Sequence, residues 1–280
     1  MYLVDLRDIY FKYLGDEDYA LKGVTLTARP GEFILLAGPS GCGKSTLLRV
    51  LNGLVPHFYE GEFKGEAYVA GLDVRSTPTY ALAKHVGMVF QDPENQLFLS
   101  SVEREIAFSL ENLGLSRNEI KKRVNEVLEI FGLEHIRHRA PYELSGGQQQ
   151  KVALATVMAL EPQILALDEP TANLDPLSAL EVLTLVHGLV KKKGILAIVV
   201  EHRLEIALRF ATRMLVMNKG HIVADGKPEA ILPQVRHLIG YPPVVIAHLL
   251  LSRKGLAGDG IPLTPEDLAA KIIEVVKWRR

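Results

Sequence analysis

Gly38, Pro39, Ser40, Gly41, Cys42, Gly43, Lys44 and Ser45 stand in the spacing G-x-x-x-x-G-K-S. Glycines at that spacing let the backbone curl so that successive N–H groups point inward at an anion. A helix that begins where such a loop ends adds its positive N-terminus. Lys44 is then expected to reach the β- and γ-phosphates of a nucleoside triphosphate. The Ser45 hydroxyl is expected on Mg²⁺, with Thr46 beside it on the phosphates. A second acidic motif follows at residues 164–169, where an apolar run ends in Asp168 and Glu169. The first acid would stand at the metal through its water shell, and the second could polarise an attacking water.

These groups need rigid elements behind them. Residues 33–37 form a short, fully apolar run, as in a buried parallel strand, and the pattern from 45 to 54 is helical. Strand, glycine loop and helix make one α/β unit. Residues 1–11 and 20–28 alternate like strands, with turns at 15–18 and 30–31. Between 101 and 160 the period changes to helical, through Val102, Ile106, Leu110, Leu113, Ile120, Val124, Val127, Leu128 and Phe131. Strand-like runs return at 164–167 and 195–200, and 214–224 reads as a hairpin around Asn218-Lys219-Gly220. From about Ile231 the pattern is helical again, with a last helix near 265–278.

A chain of 280 residues can bury roughly 75% of its unfolded surface without metals or disulfides. The single cysteine, Cys42, excludes an internal disulfide and any multi-cysteine metal site. Lys+Arg total 32 and Asp+Glu 33, a balance that argues against a nucleic-acid partner. The first residues show no basic stretch followed by an apolar core, so no signal peptide is expected. No apolar run approaches the ~20 residues of a membrane span, so any membrane contact is expected to pass through a partner.

Leu144-Ser145-Gly146-Gly147-Gln148 precedes the second acidic motif. With the three motifs in this order, residues 1 to about 230 resemble the ATP-binding-cassette (ABC) ATPases. The resemblance implies ATP and Mg²⁺ as cofactors and an α/β fold with a P-loop NTPase (RecA-like) core. It further implies an antiparallel β subdomain and a helical subdomain inserted at about 93–160. The ABC ATPase domain would span 1–230, and a helical C-terminal extension 231–280. It assigns Gln91 to sensing Mg²⁺ and the γ-phosphate, Asp168 to Mg²⁺, Glu169 to general base catalysis and His202 to the γ-phosphate switch. Tyr13 is the implied adenine-stacking aromatic, with Tyr10 and Tyr19 as nearby competitors. Two such cassettes would close head to tail. Ser145, Gly146, Gly147 and Gln148 would then act on the γ-phosphate held by the other subunit, and the loop at Leu174-Asp175 would cross between them. Two positions depart from the common pattern: Lys151 stands where many cassettes have arginine, and Arg203 where many have an acid.

Residues 90–98, the Val102-to-Asn112 segment and Val200-Glu201-His202-Arg203 are similar to the energy-coupling-factor (ECF) branch of this family. That branch implies a second ATPase subunit, identical or related. It also implies a transmembrane coupling protein, a substrate-capture membrane subunit for a vitamin or transition-metal ion, and a place on the cytoplasmic face of the cell membrane. A binding-protein-dependent importer and a soluble non-transport ABC ATPase are the alternatives. Residues 93–100 are expected to border the groove for the coupling protein, with Gln96 and Leu97 at its edge.

Overall fold

The computed structural model describes residues 1–278. Its ten strands are β1 (Val4–Tyr13), β2 (Leu21–Ala28), β3 (Phe33–Ala37), β4 (Gly61–Val69), β5 (Leu72–Asp73), β6 (Val86–Val89), β7 (Ile164–Asp168), β8 (Leu196–Val200), β9 (Arg213–Asn218) and β10 (His221–Gly226). The helices are α1 (Lys44–Leu51), α2 (Leu54–His57), α3 (Thr79–Leu82), α4 (Val102–Asn112), α5 (Arg117–Phe131), α6 (Gly146–Met158), α7 (Pro176–Lys193), α8 (Leu204–Ala207), α9 (Pro228–Ile239), α10 (Pro243–Ser252) and α11 (Pro265–Trp278).

A six-stranded sheet runs in the order β10-β9-β3-β8-β7-β6, parallel except for β10. Every residue of β3, β7 and β8 is buried, which is why these segments read as continuous apolar runs. Side chains alternate across the sheet. Phe33, Leu35 and Ala37 join a core shared with α4, α5, α6 and α7, while Ile34 and Leu36 join a second core with α1 and the other sheet. That other sheet is antiparallel, in the order β2-β1-β4-β5. The sequence reading missed β4, β5 and β6. In β4 the row of exposed or half-buried residues from Gly61 to Glu66 hides the alternation.

The inserted helices are capped as their sequences allow. Ser116 and Glu119 form a capping box at the start of α5, and Gly132 ends it in the left-handed region at φ 65°. The helix expected over 45–54 stops earlier, at Leu51. Gly53 turns the chain there at φ 75°, where a Cβ would come within 2.5 Å of Leu82. The expected boundary at 230 falls inside α9, whose Ile231, Leu232 and Val235 enter the core of the main sheet. Farther on, Arg209 grips Glu266 of α11 with two bonds of 3.0 and 3.1 Å.

Candidate functional site

The sheet register places the chemistry. Val200 of β8 pairs with Leu36 of β3 on one side and with Asp168 of β7 on the other. The three strands therefore end level, and the segments beginning at Gly38, Glu201 and Glu169 leave the sheet side by side. Ligands of open α/β sheets bind at these carboxyl ends.

The loop of residues 38–43 has a shape only glycine permits at two points. Gly38 sits at φ 145° with Met217 O only 2.2 Å from where a Cβ would be, and Gly43 at φ 107° with Ala20 O at 2.5 Å. Lys44 is buried, and its ammonium bonds the carbonyls of Gly38 at 2.9 Å and Pro39 at 3.0 Å. The lysine thus spans the mouth of its own loop. Cys42 is buried beneath, tied through its carbonyl to Gly220 N–H at the tip of the β9–β10 hairpin, and burial pushes its thiol pKa up. Ser40 and Gly41 are exposed and Ser45 is half-buried. Thr46 does not face a phosphate with its hydroxyl free, because that hydroxyl bonds the Tyr13 hydroxyl at 3.0 Å.

Tyr13 ends β1 next to α1. Arg49 donates to its hydroxyl at 3.0 Å, and Tyr59 meets its ring edge-on with centroids 6.0 Å apart. The Arg49 guanidinium lies 4.6 Å from the Tyr59 ring centre. Sequence reading missed Arg49 and Tyr59; the only available signal was their nearness to the phosphate loop. Tyr10 and Tyr19 pair with each other instead, at 5.9 Å.

Asp168 is buried, and burial raises its pKa, with a hydrogen bond from the Ser45 side chain working the other way. Its Oδ1 is buried without a hydrogen-bond partner. Glu169 follows at φ 50°, a left-handed conformation that is strained for a non-glycine residue. Its N–H donates to Val200 O at 3.0 Å, and its Oε1 lies 3.1 Å from His202 Nε2. Glu169 and His202 are thus in contact. His202 also lines a cavity of about 200 Å³ with Ala37, Gly38, Pro39 and Ser40. Leu238 and Ile239 of α9 close its far side, a contribution the sequence did not reveal.

The other predicted residues lie elsewhere. Ser145 and Gly146 are exposed and Gly147 and Gln148 half-buried at the start of α6. Ser145 and Gln148 cap that helix reciprocally, at 3.4 and 3.1 Å. Gln91 is exposed and lines a second cavity of about 300 Å³ with Asp92, Gly146, Gln149, Asn173 and Leu174. It does not line the phosphate-loop cavity. Asp175 is exposed and caps α7, accepting from Leu177 and Ser178 N–H, and these bonds with the Ser178 side chain lower its pKa. Lys151 bonds Glu181 at 2.8 Å.

At the expected groove edge of 93–100, the placement of Gln96 and Leu97 needs correction. Gln96 turns inward, accepting from Phe90 N–H at 2.9 Å and donating to Met88 O at 3.4 Å, and Leu97 packs on the core. Phe98 is 68% exposed and meets Phe108 edge-on at 5.4 Å. The apolar–polar mixture of 95–98 concealed that polar Gln96 turns inward while apolar Phe98 faces out.

Residues 21–172 match the ABC transporter family, and the chain belongs to it: it is an ATP-hydrolysing ABC domain. It is 40% identical to an ABC transporter ATP-binding protein of Pyrococcus horikoshii, over 99% of this chain and 98% of that one. It is 42% identical to one of Caldanaerobacter subterraneus over 96% of this chain, but spans only 48% of that relative's length. Among solved structures it resembles cbiO1 of Clostridium perfringens, part of the ABC transporter complex cbiONQ. The TM-score is 0.77 at 31% identity, covering 91% of this chain and 97% of cbiO1. It also resembles the cassette MJ0796 in its dimeric state bound to ADP and Pi, with TM-score 0.69 at 31% identity, covering 80% of this chain and 98% of that one. Among the described residues no single helix is long and apolar enough to cross a membrane.

Proposed function

We propose that this chain is the ATPase subunit of an ECF-type uptake transporter, energising entry of a vitamin or transition-metal ion from the cytoplasmic face of the membrane. The observation that carries this reading is the likeness to cbiO1 over 91% of the chain, at a TM-score of 0.77. We read the chain through α9, to residue 239, as the ATPase domain, with its helical subdomain at about 93–160, and 240–280 as the extension.

In this mechanism Lys44 exchanges its loop carbonyls for the β- and γ-phosphates, and Tyr13 offers its ring to adenine. Ser45 and Asp168 would hold Mg²⁺, while Gln91 stands at the neighbouring cavity. The unpartnered Oδ1 of Asp168, with Ser45 beside its carboxylate, supplies the hard oxygen donors that fit this ion. When bound, Mg²⁺ neutralises charge on the phosphates. Glu169 takes a proton from the attacking water, and His202, already in contact with Glu169, holds the γ-phosphate side. The capped N-terminus of α6 faces outward, as a surface for a partner's γ-phosphate must. The partner cassette is a second copy of this chain. The Pyrococcus relative has the length of one cassette, and the Caldanaerobacter relative, about twice as long as the shared stretch, has room for two.

The coupling protein docks beside α4. Phe98, Phe108 and Tyr80 are exposed there, and Tyr80, Ser109, Asn112 and Leu113 line a cavity of about 360 Å³ suited to an apolar helix. The test is affinity purification from membranes of the native host. Multispan membrane proteins should co-purify with the wild-type chain and be lost with Phe98→Arg. Their absence from both preparations would defeat the transporter reading.

A further inference from the structure

His202 is flanked by an acid and a base, Glu201 and Arg203, and both reach the same neighbouring loop. Residues 170–175 lead from Glu169 to α7. Near the start of this loop, Thr171 N–H donates to Glu201 Oε1 at 3.0 Å. Near its end, Arg203 Nη1 donates to Leu174 O at 2.7 Å. Between these ties, His202 lies 3.1 Å from Glu169.

The acid is an expensive choice. Glu201 is 2% exposed and Thr171 fully buried, and among the described residues no cation pairs with Glu201. A buried carboxylate held by hydrogen bonds alone costs desolvation, and apolar packing would stabilise the fold better. What a carboxylate does supply is a fixed acceptor for a particular N–H. Arg203, at the other end, satisfies a carbonyl directly before the helix cap Asp175.

We propose that Glu201 and Arg203 are positioning residues that fasten loop 170–175 to the His202 segment, so that switch histidine and crossing loop move as one unit. The inference rests on the function proposed above, in which His202 meets the γ-phosphate and the loop passes to the second cassette. A loop tied at both ends to the three-residue segment carrying His202 follows any displacement of that histidine. Occupancy of one site is thereby transmitted toward the other. With Arg203 removed, the Glu169–His202 contact remains, but the Leu174 end is released.

The test uses the purified full-length chain with Mg-ATP. For the wild type, turnover against ATP concentration should give a Hill coefficient between one and its ceiling of about two for two sites. Arg203→Met should bring it to one and lower kcat about tenfold, the scale of a lost charged hydrogen bond. Nucleotide affinity of the isolated subunit should not change, and its Tm should fall by only the few degrees that one lost hydrogen bond costs. Arg203→Lys retains a donor for the single carbonyl and should recover most of the cooperativity. Glu201→Gln keeps an acceptor for Thr171 N–H and should do the same. Wild-type cooperativity in Arg203→Met would overturn the inference, and so would a loss of Tm and affinity matching the loss of kcat. A wild-type dimer with a Hill coefficient of one would also overturn it. If the wild-type chain forms no ATP-dependent dimer, the proposed function itself fails.

Discussion

The phosphate loop and the start of α6 are both glycine-rich helix N-termini, yet the fold treats them oppositely. The first is enclosed. Lys44 and Cys42 are buried, two glycines are pressed against backbone carbonyls, and Asp168 and His202 stand at adjoining strand ends. The second is open, with Ser145 and Gly146 exposed and bonded only within their own helix cap. The cavities beside them share no lining residue. In the proposed function the first terminus holds a ligand within the subunit, and the second presents N–H groups to something outside it.

The contrast can be broken most severely at the enclosed end. Glu169→Gln should lower turnover about 10²–10⁴-fold while leaving ATP binding intact, because a positioned base contributes on that scale. Turnover within a few-fold of wild type would move the base elsewhere.

At the open end, Gly147→Asp is a poor probe, since a Cβ there would lie 3.1 Å from Ser178. Gly146 has only ordinary contacts, 3.5 Å from Leu174. Gly146→Asp should therefore fold normally, and an acid in a first helical turn is itself favourable. It should bind ATP as a single subunit with wild-type affinity and lose turnover at least tenfold. Weakened binding by the single subunit would mean that the terminus serves its own nucleotide.

A smaller effect concerns Asp168. Burial raises its folded pKa, so the folded state binds more protons than the unfolded one between the two values. Stability of the nucleotide-free chain should fall as pH rises from the ordinary carboxylate range through the folded pKa. Asp168→Asn should flatten that dependence and raise Tm by a few degrees at neutral pH. Thermal melts across pH 4–8 check this, and a steeper fall in the variant would count against it.

The smallest effect is at Cys42. With its thiol buried and its pKa raised, alkylation should be slow at neutral pH, accelerate with alkali and slow further with Mg-ATP. Rapid labelling unaffected by nucleotide, followed by mass spectrometry, would show the loop to be open.

Legibility from the sequence followed the same division. Contiguous motifs that need a fixed local backbone, such as 38–45 and 164–169, were readable because few residue types fit them. Contacts between distant segments were not. Gln96 looked like a surface residue and is bonded to β6 and the residue after it. Arg203 looked like a family variation and holds Leu174. The weakly alternating β4 was invisible because its period-2 signal is masked by exposure on both faces.

The claim that each ATP site is assembled from two subunits is tested most directly by mixing two inactive variants. Lys44→Ala removes the enclosed end and Gly146→Asp the open end, and each alone should be inactive. Hetero-pairs contain one site with both ends intact. Mixing the two proteins should therefore restore turnover, up to about a quarter of wild type for random pairing of independent sites. A mixture as inactive as its components, in proteins that still dimerise with ATP, would contradict the account.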